Sequence, residues 1–348
     1  MCEHVFVRWD NLSASLEDPQ RPLPKLGGDS VVRTFDAPEA LGIRFHEIHA
    51  RSALNKVHPA ARMPFNWTVN PYRGCSHACR FCFARRTHTY LDLNAAEDFE
   101  REIVVKVNVP EKLWAELARP SWKREQVALG TNTDPYQWVE SRYKLMPGIW
   151  QALLDYDTPG SLVSKSPLCL RDIELLKELA AGPGFQAFLS VPTLDERAWR
   201  ETEPHTPSPR ARIEAVRKLN DAGVPAGVLI APLMPGINDT PEEVAEIVRL
   251  ADDAGATSVG AVALHLRGEV KDVFFDWLKE RRPELLDRYK ELYAKGAYAP
   301  SEERKRLQAL TKVPRRHRPR RPPRPARGPE AERKAPPTAP EPKQRSLF

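Results

Sequence analysis

Three cysteines lie within eight residues of one another, as Cys75, Cys79 and Cys82. Their spacing, C-x3-C-x2-C, brings three thiolates into one small volume. A structural zinc site or an ordinary four-thiolate cluster needs a fourth ligand to complete its coordination shell. A [4Fe–4S] cluster held by three cysteines instead leaves one iron free to bind another molecule. The chemistry of this chain therefore depends on where the fourth ligand comes from.

Two other interpretations of the cysteines are open at this point. A disulfide with one spare thiol suits small secreted proteins, whereas this chain has five cysteines in 348 residues. A zinc site is the stronger alternative, because His77 or His88 can supply a fourth ligand. The usual zinc pattern, however, pairs two cysteine-rich halves, and Cys2 and Cys169 stand alone here. The spacing therefore favours an open iron–sulfur cluster.

The residues on either side of the cysteines narrow the choice. They read Asn-Pro-Tyr-Arg-Gly over residues 70–74 and Phe-Ala-Arg-Arg over residues 83–86, with Phe81 before the third cysteine. Here the chain resembles the radical S-adenosylmethionine (SAM) superfamily. The resemblance implies that SAM binds the open iron of a [4Fe–4S] cluster through its amino and carboxylate groups. It also implies that Phe81 packs beside the cofactor, and that a reducing protein of the flavodoxin or ferredoxin type supplies electrons.

Downstream of the cysteines, short apolar runs alternate with amphipathic stretches. Strands are predicted at residues 68–70, 126–130, 161–165, 185–191, 226–231 and 258–264, with an extra strand outside this series at 103–107. Helices are predicted at residues 142–156, 171–181 and 209–222, and from residue 239 onward. Strands separated by helices indicate an α/β fold with a parallel sheet and right-handed crossovers. A doubly wound sheet gives a similar pattern, but the resemblance implies the partial (β/α)6 TIM-type barrel of radical SAM proteins.

This pattern divides the chain into four parts. We predict an irregular N-terminal extension over residues 1–60 and a radical SAM core barrel over residues 61–270. A helical extension over residues 271–313 follows, and a disordered Pro/Arg-rich tail occupies residues 314–348. No run of about 18 uncharged apolar residues occurs, so no membrane span is expected. Because there is also no apolar signal segment at the N-terminus, we expect a cytoplasmic protein.

The basic charge of the chain is concentrated near its end. The net charge is +6, and residues 301–348 contain 15 Lys and Arg against 5 Asp and Glu. Ten of the 34 prolines lie from Pro314 onward, in a segment that has almost nothing to bury. The arginines of this tail can contact nucleic-acid phosphates through charge alone. A tail that only keeps the protein in solution is an equally good interpretation.

Polar side chains follow the predicted strands, where parallel barrels have their active sites. Asn132 and Asp134 follow the second strand, and the resemblance places this loop beside the amino group of SAM; a capped turn is the alternative. Lys165 ends the third strand and can hold the methionine carboxylate of SAM or a substrate phosphate, unless it is a solvated lysine. Ser190 in the fourth strand can reach the ribose or carboxylate of SAM.

Later strands are followed by further polar groups. Glu203 and His205 lie in a loop bounded by prolines, which can also be a plain lead-in to a helix. His265 and Arg267 directly follow the sixth strand, so each is a candidate for contact with a substrate.

The resemblance covers about residues 60–270 and is strongest at residues 70–82, 133–137, 164–167 and 228–236. Together these segments are similar to the branch described as spore photoproduct lyase-related, or DNA repair photolyase-like. The lyase reverses a dithymine lesion with the adenosyl radical, and a cysteine near the end of its second strand returns a hydrogen atom. Here residues 128–134 contain no thiol. Cys169 is the remaining candidate for that catalytic role, although a cysteine opening a helix is more often simply buried.

Three functions are therefore compatible with the sequence. The first is a radical SAM enzyme that acts on damaged DNA or another nucleic acid. The second is a radical SAM enzyme that acts on a small molecule or a peptide, with the basic tail incidental. The third is a protein without catalytic activity that binds nucleic acid or senses redox state through an iron–sulfur or zinc site.

Overall fold

The fold is described from a computed structural model, which covers residue 25, residues 30–61 and residues 63–314. The predicted disordered tail, apart from Pro314, lies outside these residues. The strands within them are β1 (Val31–Arg33), β2 (Arg44–Ile48), β3 (Leu54–Lys56), β4 (Trp67–Val69), β5 (Tyr72–Arg73), β6 (Glu102–Lys106), β7 (Val127–Leu129), β8 (Gly160–Ser164), β9 (Phe185–Ser190), β10 (Ala226–Leu233) and β11 (Val259–Ala263). The α-helices are α1 (Glu97–Arg101), α2 (Val109–Leu117), α3 (Glu140–Tyr143), α4 (Leu145–Asp155), α5 (Ile173–Ala181), α6 (Glu196–Thr202), α7 (Pro209–Asp221), α8 (Pro241–Asp253), α9 (Val270–Arg281), α10 (Leu286–Leu292) and α11 (Ser301–Ala309).

A seven-stranded sheet forms the centre of the protein. Its strand order is β11-β10-β9-β8-β7-β4-β3, and the six strands from β4 to β11 in this sheet run parallel in the order of the chain. Strand β3 adds to β4 in the antiparallel direction. Helices α4, α5, α7 and α8 connect successive strands from β7 to β11. The predicted α/β class, with six parallel strands separated by helices, is confirmed.

The connecting helices begin and end where local chemistry predicts. Helices α7 and α8 each have proline at their first position, where its missing N–H removes no intrahelical bond. Ser208 and Thr240 precede these prolines, and their side chains accept hydrogen bonds from the backbone of the first turn. Gly223 follows α7 with a φ of +83°, the left-handed conformation that glycine adopts without strain.

A second, four-stranded sheet lies beside the first and has the strand order β1-β2-β6-β5. The sequence predicted β6 as an extra strand, and this is confirmed. The parallel pairing of β6 with β2 was not predicted, because it joins residues 58 positions apart, such as Arg44 and Glu102. Strand β5 ends at Arg73, directly before the cysteine segment, so this sheet fixes the direction in which that segment leaves the fold.

The C-terminal helices pack on the cysteine segment rather than away from it. One buried apolar cluster joins Cys79 and Phe81 to Met234, Leu264 and Leu266 at the ends of β10 and β11. The same cluster includes buried aromatic side chains of α9 and α10 and of the residue after α10: Phe274, Trp277, Tyr289 and Tyr293. Residues 271–293 therefore help to hold the cysteine segment at the carboxyl end of the sheet. No helix in the described ranges is long and apolar enough to cross a membrane.

Candidate active site

The three cysteines lie on one loop, residues 74–82, which follows β4 and β5 at the carboxyl end of the sheet. Gly74 has a φ of +85°, and a Cβ there would lie 3.0 Å from the carbonyl oxygen of Phe99. The Cys75 N–H donates to that same carbonyl, and the Cys82 N–H donates to Cys79 O at 3.3 Å. Farther along, the Arg80 N–H donates to Thr202 O at 2.9 Å. Backbone contacts within the protein thus determine the shape of the cysteine loop.

The thiols of this loop have the chemistry that an iron–sulfur cluster requires. Cys75, Cys79 and Cys82 are free, the first two are buried and the third is partly exposed. Burial, together with the charge of neighbouring Cys75, raises the pKa of Cys82 to about 11, so a bound metal would have to displace the proton of this thiol. Soft thiolates select iron–sulfur clusters or zinc, and a cluster of four irons takes one thiolate per iron. Three free thiols on one ordered loop therefore fit a [4Fe–4S] cluster.

Of the two histidines that could complete a zinc site, His88 is held by a backbone oxygen and His77 lies between Cys75 and Asp134. His88 Nε2 lies 2.9 Å from the backbone oxygen of Glu102, and burial lowers the pKa of this histidine to about 4. Burial alone would lower the pKa of His77 as well, but the charges of Cys75 and Asp134 raise it to about 10. His77 Nδ1 lies 3.4 Å from Asp134 Oδ2. Within the described residues, no group of three His, Cys, Asp or Glu side chains, the three cysteines of this loop included, converges on one metal ion. A [4Fe–4S] cluster takes one thiolate on each iron, so its thiolates need not meet at a single ion.

Asp134 connects the loop after β7 to the end of β8 and to the cysteine loop. Its carboxylate accepts hydrogen bonds from the Ser164 hydroxyl at 2.8 Å and from the backbone N–H groups of Lys165 and Tyr136 at 2.7 and 2.9 Å. Burial would raise the pKa of Asp134, but His77 and these donors hold it below its usual value. Both carboxylate oxygens already have protein partners. Asp134 therefore positions three loops around the strand ends.

A glycine makes this arrangement possible. Gly130 ends the β7 segment with a φ of +84°, and a Cβ there would lie 1.8 Å from the carbonyl oxygen of Val163 in β8. Any side chain would push the two parallel strands apart at the point where Asp134 must reach Lys165. The loop that carries Asn132 and Asp134 depends on this close approach.

Lys165 brings together three of the sequence-predicted residues. Its ammonium lies 2.7 Å from the Ser190 hydroxyl and 5.5 Å from the centre of the Phe81 ring. It also lies 2.8 Å from Glu203 Oε1, an ion pair without hydrogen-bond geometry. Because Phe81 belongs to the cysteine loop, Lys165 lies against that loop. Phe81, Lys165 and Ser190 thus form one group at the strand ends.

Behind Lys165 lies a buried ion pair that no pattern in the sequence predicted. Arg212 of α7 donates to Glu203 Oε2 at 2.7 Å and to the backbone oxygen of Ser190 at 2.8 Å. Both side chains of this pair are fully buried. Burial would raise the pKa of Glu203, but Arg212 and Lys165 hold it below its usual value. Two cations and one carboxylate leave the group with a net charge of about +1, which attracts a carboxylate or a phosphate.

Two more of the predicted residues, Asn132 and Cys169, lie outside this group of contacts. Asn132 is partly exposed on the loop after β7, and its side chain makes no hydrogen bond to the described residues. Cys169 is fully buried in the main apolar core, and burial raises the pKa of its thiol to about 12. Its role as a hydrogen donor stays a prediction.

The comparison with known families decides the class of protein. The family model for the radical SAM superfamily matches residues 69–254, which span the cysteine loop and the strands from β7 to β10. This chain belongs to the radical SAM superfamily. The resemblance in the sequence is confirmed, and with it the expectation of an enzyme of the radical SAM type.

Solved structures of spore photoproduct lyase have a similar fold. One, a complex with the dinucleoside spore photoproduct, has a TM-score of 0.55 at 15% identity and covers 77% of each chain. Another, a mutant of the lyase with one cysteine replaced by alanine, has a TM-score of 0.56 at 15% identity and covers 80% of this chain and 81% of the other. At this level of identity the likeness establishes the fold alone. It agrees with the parallel sheet described above.

Sequence relatives of this radical SAM protein occur in bacteria and archaea. An uncharacterised protein of Mycobacterium tuberculosis is 47% identical over 285 residues, which is 82% of this chain and 84% of the relative. An uncharacterised protein of Methanocaldococcus jannaschii is 25% identical over 193 residues, covering 56% of this chain and 70% of the relative.

A cleft of about 800 Å³ opens beside the cysteine loop. Ser76 and His77 line it from that loop, and Ser166 lines it from the segment after β8. Glu203 and His205 are candidates on one loop in the sequence, and the structure separates them: His205 lines the cleft, whereas Glu203 is buried beside Lys165.

The signal that could have revealed Arg212 is its position on the apolar face of α7, in register with Val216 and Leu219.

Proposed function

We propose that Cys75, Cys79 and Cys82 hold a [4Fe–4S] cluster and that SAM is the ligand of its open iron. The family match and the three free thiols on one preformed loop support this proposal. When bound, the cluster supplies the electron that cleaves SAM to methionine and a 5′-deoxyadenosyl radical, which abstracts hydrogen from the substrate. The protein binds, orients and shields these groups from water.

Lys165 is the residue that we propose to bind the carboxylate of SAM. Its ammonium is the one partly exposed cation of the group around Glu203, with 16% of the side chain accessible, whereas Arg212 has none. An ammonium held by a serine hydroxyl and a buried carboxylate points in a fixed direction, which reduces the entropy lost when a ligand binds. Phe81 then packs beside the cofactor, Ser190 faces its ribose, and Asn132 and Asp134 lie near its amino group.

Reconstitution tests the proposal directly. The full-length protein, loaded anaerobically with iron and sulfide, should contain about four irons per chain. Addition of dithionite and SAM should then release 5′-deoxyadenosine, measured by liquid chromatography. Cys79→Ala should lose cluster and cleavage together, while Cys169→Ser should keep its iron, because Cys169 lies in the apolar core. One tight zinc in place of iron would contradict the proposal.

As the substrate class we propose nucleic acid, with damaged DNA as the first candidate. The fold is similar to that of a lyase solved with a dinucleoside photoproduct, and residues 315–321 of the sequence contain five arginines. A suitable test uses oligonucleotides carrying deuterium-labelled thymine dimers, followed by mass spectrometry of the 5′-deoxyadenosine. Deuterium transfer supports lesion repair. Its absence with these oligonucleotides, while deuterium transfers from a small molecule or peptide, favours the alternative substrate class.

A further inference from the structure

Three flat rings form a stack at the carboxyl end of the sheet, beside the cysteine loop. Phe83 and His265 have ring centres 5.9 Å apart, with 29° between their planes. His265 and Tyr298 follow at 5.8 Å and 17°. Phe83 directly follows the third cysteine, and His265 lies just after β11. Residues far apart in the chain thus converge on one site, which does not include Phe81, Lys165 or Ser190.

Two arginines extend this stack. The guanidinium carbon of Arg267 lies 5.0 Å from the centre of the Tyr298 ring, and that of Arg304 lies 5.9 Å from it. Both arginines are exposed, and neither forms an ion pair with a carboxylate in the described part of the chain. We call Phe83, His265, Tyr298, Arg267 and Arg304 the stacking surface.

The rings of the stacking surface face solvent although they cost free energy there. Phe83 and Tyr298 are each 45% exposed, and they belong to the small set of exposed large apolar side chains in the described residues. Contiguous exposed aromatic groups mark interaction sites more often than chance. Burial and the neighbouring Arg267 lower the pKa of His265, so its ring is a neutral aromatic at physiological pH.

The stack is also rigid, which suits a binding surface. His265 and Tyr298 form an antiparallel bridge, and the Leu266 N–H donates to Ala297 O at 2.8 Å. The Tyr293 hydroxyl donates to Leu264 O at 2.9 Å. These bonds hold the segment around Tyr298 against the end of β11, so the rings are ordered before any ligand arrives.

We propose that the stacking surface binds the bases of single-stranded nucleic acid. Exposed rings on which bases stack, with guanidinium groups that no carboxylate neutralises, are the combination that single-strand-binding proteins use. An acidic protein partner would be drawn by the arginines but would not need three parallel rings. A base pair within a duplex presents no free face to such a stack, so single strands or unpaired bases are the expected ligand. The proposal rests on the proposed function for the nucleic-acid class, and it adds the site.

The test measures binding of a 5′-fluorescein-labelled single-stranded DNA of about 20 nucleotides, longer than the site of one binding module, to the reconstituted full-length protein by fluorescence anisotropy. Tyr298→Ala and Phe83→Ala should each raise the Kd about 5-fold or more, since alanine substitution under a stacked base has that effect. Tyr298→Phe keeps the ring and should bind within about 2-fold of wild type. All variants carry the same basic tail, so differences between them report on the stacking surface.

The contribution of the arginine charges is tested separately, by measuring how the Kd for DNA depends on salt concentration. Arg267→Gln should reduce the slope of log Kd against log salt by about 0.7, the value for one phosphate contact on a single strand. Arg281→Gln is the control, because Arg281 is an exposed arginine of α9 that is already paired with Glu280. Its slope should equal that of wild type.

Several outcomes would overturn the proposal. The proposal is wrong if both Tyr298→Ala and Phe83→Ala bind single-stranded DNA with wild-type affinity. It is also wrong if these variants lose affinity for single-stranded and for duplex DNA equally. Normal DNA binding with impaired reduction by a flavodoxin would assign the surface to a protein partner instead. Phe83→Ala counts only if its iron content equals that of wild type, and Tyr298→Ala serves where it does not. SAM cleavage without DNA, measured on the same samples, separates a failure of the proposed function from a failure of this surface.

Discussion

Replacing Arg212 by methionine should destabilise the whole protein, because it leaves a buried carboxylate with one cation. Arg212 donates to the backbone oxygens of Pro207 and Ser190, to the Thr206 hydroxyl and to Glu203. Methionine fills similar space but replaces none of these bonds. Breaking a buried ion pair from one side costs about 3–5 kcal/mol. Since domains are stable by about 5–15 kcal/mol, the loss is a large share of the total.

Thermal and urea unfolding, followed by circular dichroism, measure this loss. Arg212→Met should lower the Tm on the order of 10 °C. Arg249→Met is the matched control: Arg249 pairs with Glu246 and Asp253 on the exposed side of α8, and such pairs contribute about 1 kcal/mol or less. The double variant Arg212→Met with Glu203→Gln should recover part of the loss, because the buried carboxylate that has lost one of its two cations is replaced by a neutral amide.

The difference between wild type and Arg212→Met should depend on pH. Arg212 and Lys165 hold the pKa of Glu203 below its usual 4.5. The stability that this group contributes is therefore present above pH 4.5 and is lost as the pH falls through its lower, folded-state value. The two proteins should approach each other in stability as the pH falls below that value. An Arg212→Met variant as stable as Arg249→Met at neutral pH would refute this interpretation of the buried pair.

Two further predictions concern the strand ends. Lys165→Met should weaken SAM binding to the reconstituted protein about 10- to 100-fold, measured by calorimetry, because it loses a charge-assisted hydrogen bond. Replacing the exposed Lys177 by methionine is the control and should leave SAM affinity unchanged. Equal affinities of the two variants would show that Lys165 does not bind SAM. Gly130→Ala should lower the free energy of unfolding in urea by about 3 kcal/mol or more, because its Cβ would lie 1.8 Å from Val163 O. Gly42 also has a positive φ, +71°, but has open space around it, so Gly42→Ala should lower the free energy of unfolding by about 1 kcal/mol. Similar losses of unfolding free energy in the two glycine variants would show that β7 and β8 move apart to accommodate the added Cβ.

The parallel sheet could be predicted from the sequence because its signals are local. Each strand is a short apolar run, and each helix has its own start and stop residues, such as Pro209 and Gly223. The grouping of Lys165 with Ser190 also followed, since the carboxyl ends of neighbouring parallel strands meet at one edge. The position of a polar residue at a strand end is enough for such an inference.

Contacts between distant segments could not be predicted in the same way. The pairing of β2 with β6, the ion pair of Glu203 with Arg212 and the stack of Phe83 on His265 each depend on how separate loops fold back. Nothing in the residues around Phe83 indicates a partner 182 positions later in the chain. These contacts depend on tertiary packing, which local propensity does not predict.

The backbone bonds of the cysteine loop have a consequence for the order in which the protein matures. In zinc fingers the metal drives folding, because no site exists before the metal binds. Here the loop takes its shape from Phe99 and Thr202, and the Gly74 carbonyl accepts hydrogen bonds from Thr133 and Gln137. Under the proposed function, we therefore expect the chain to fold first and to receive its cluster in a later step.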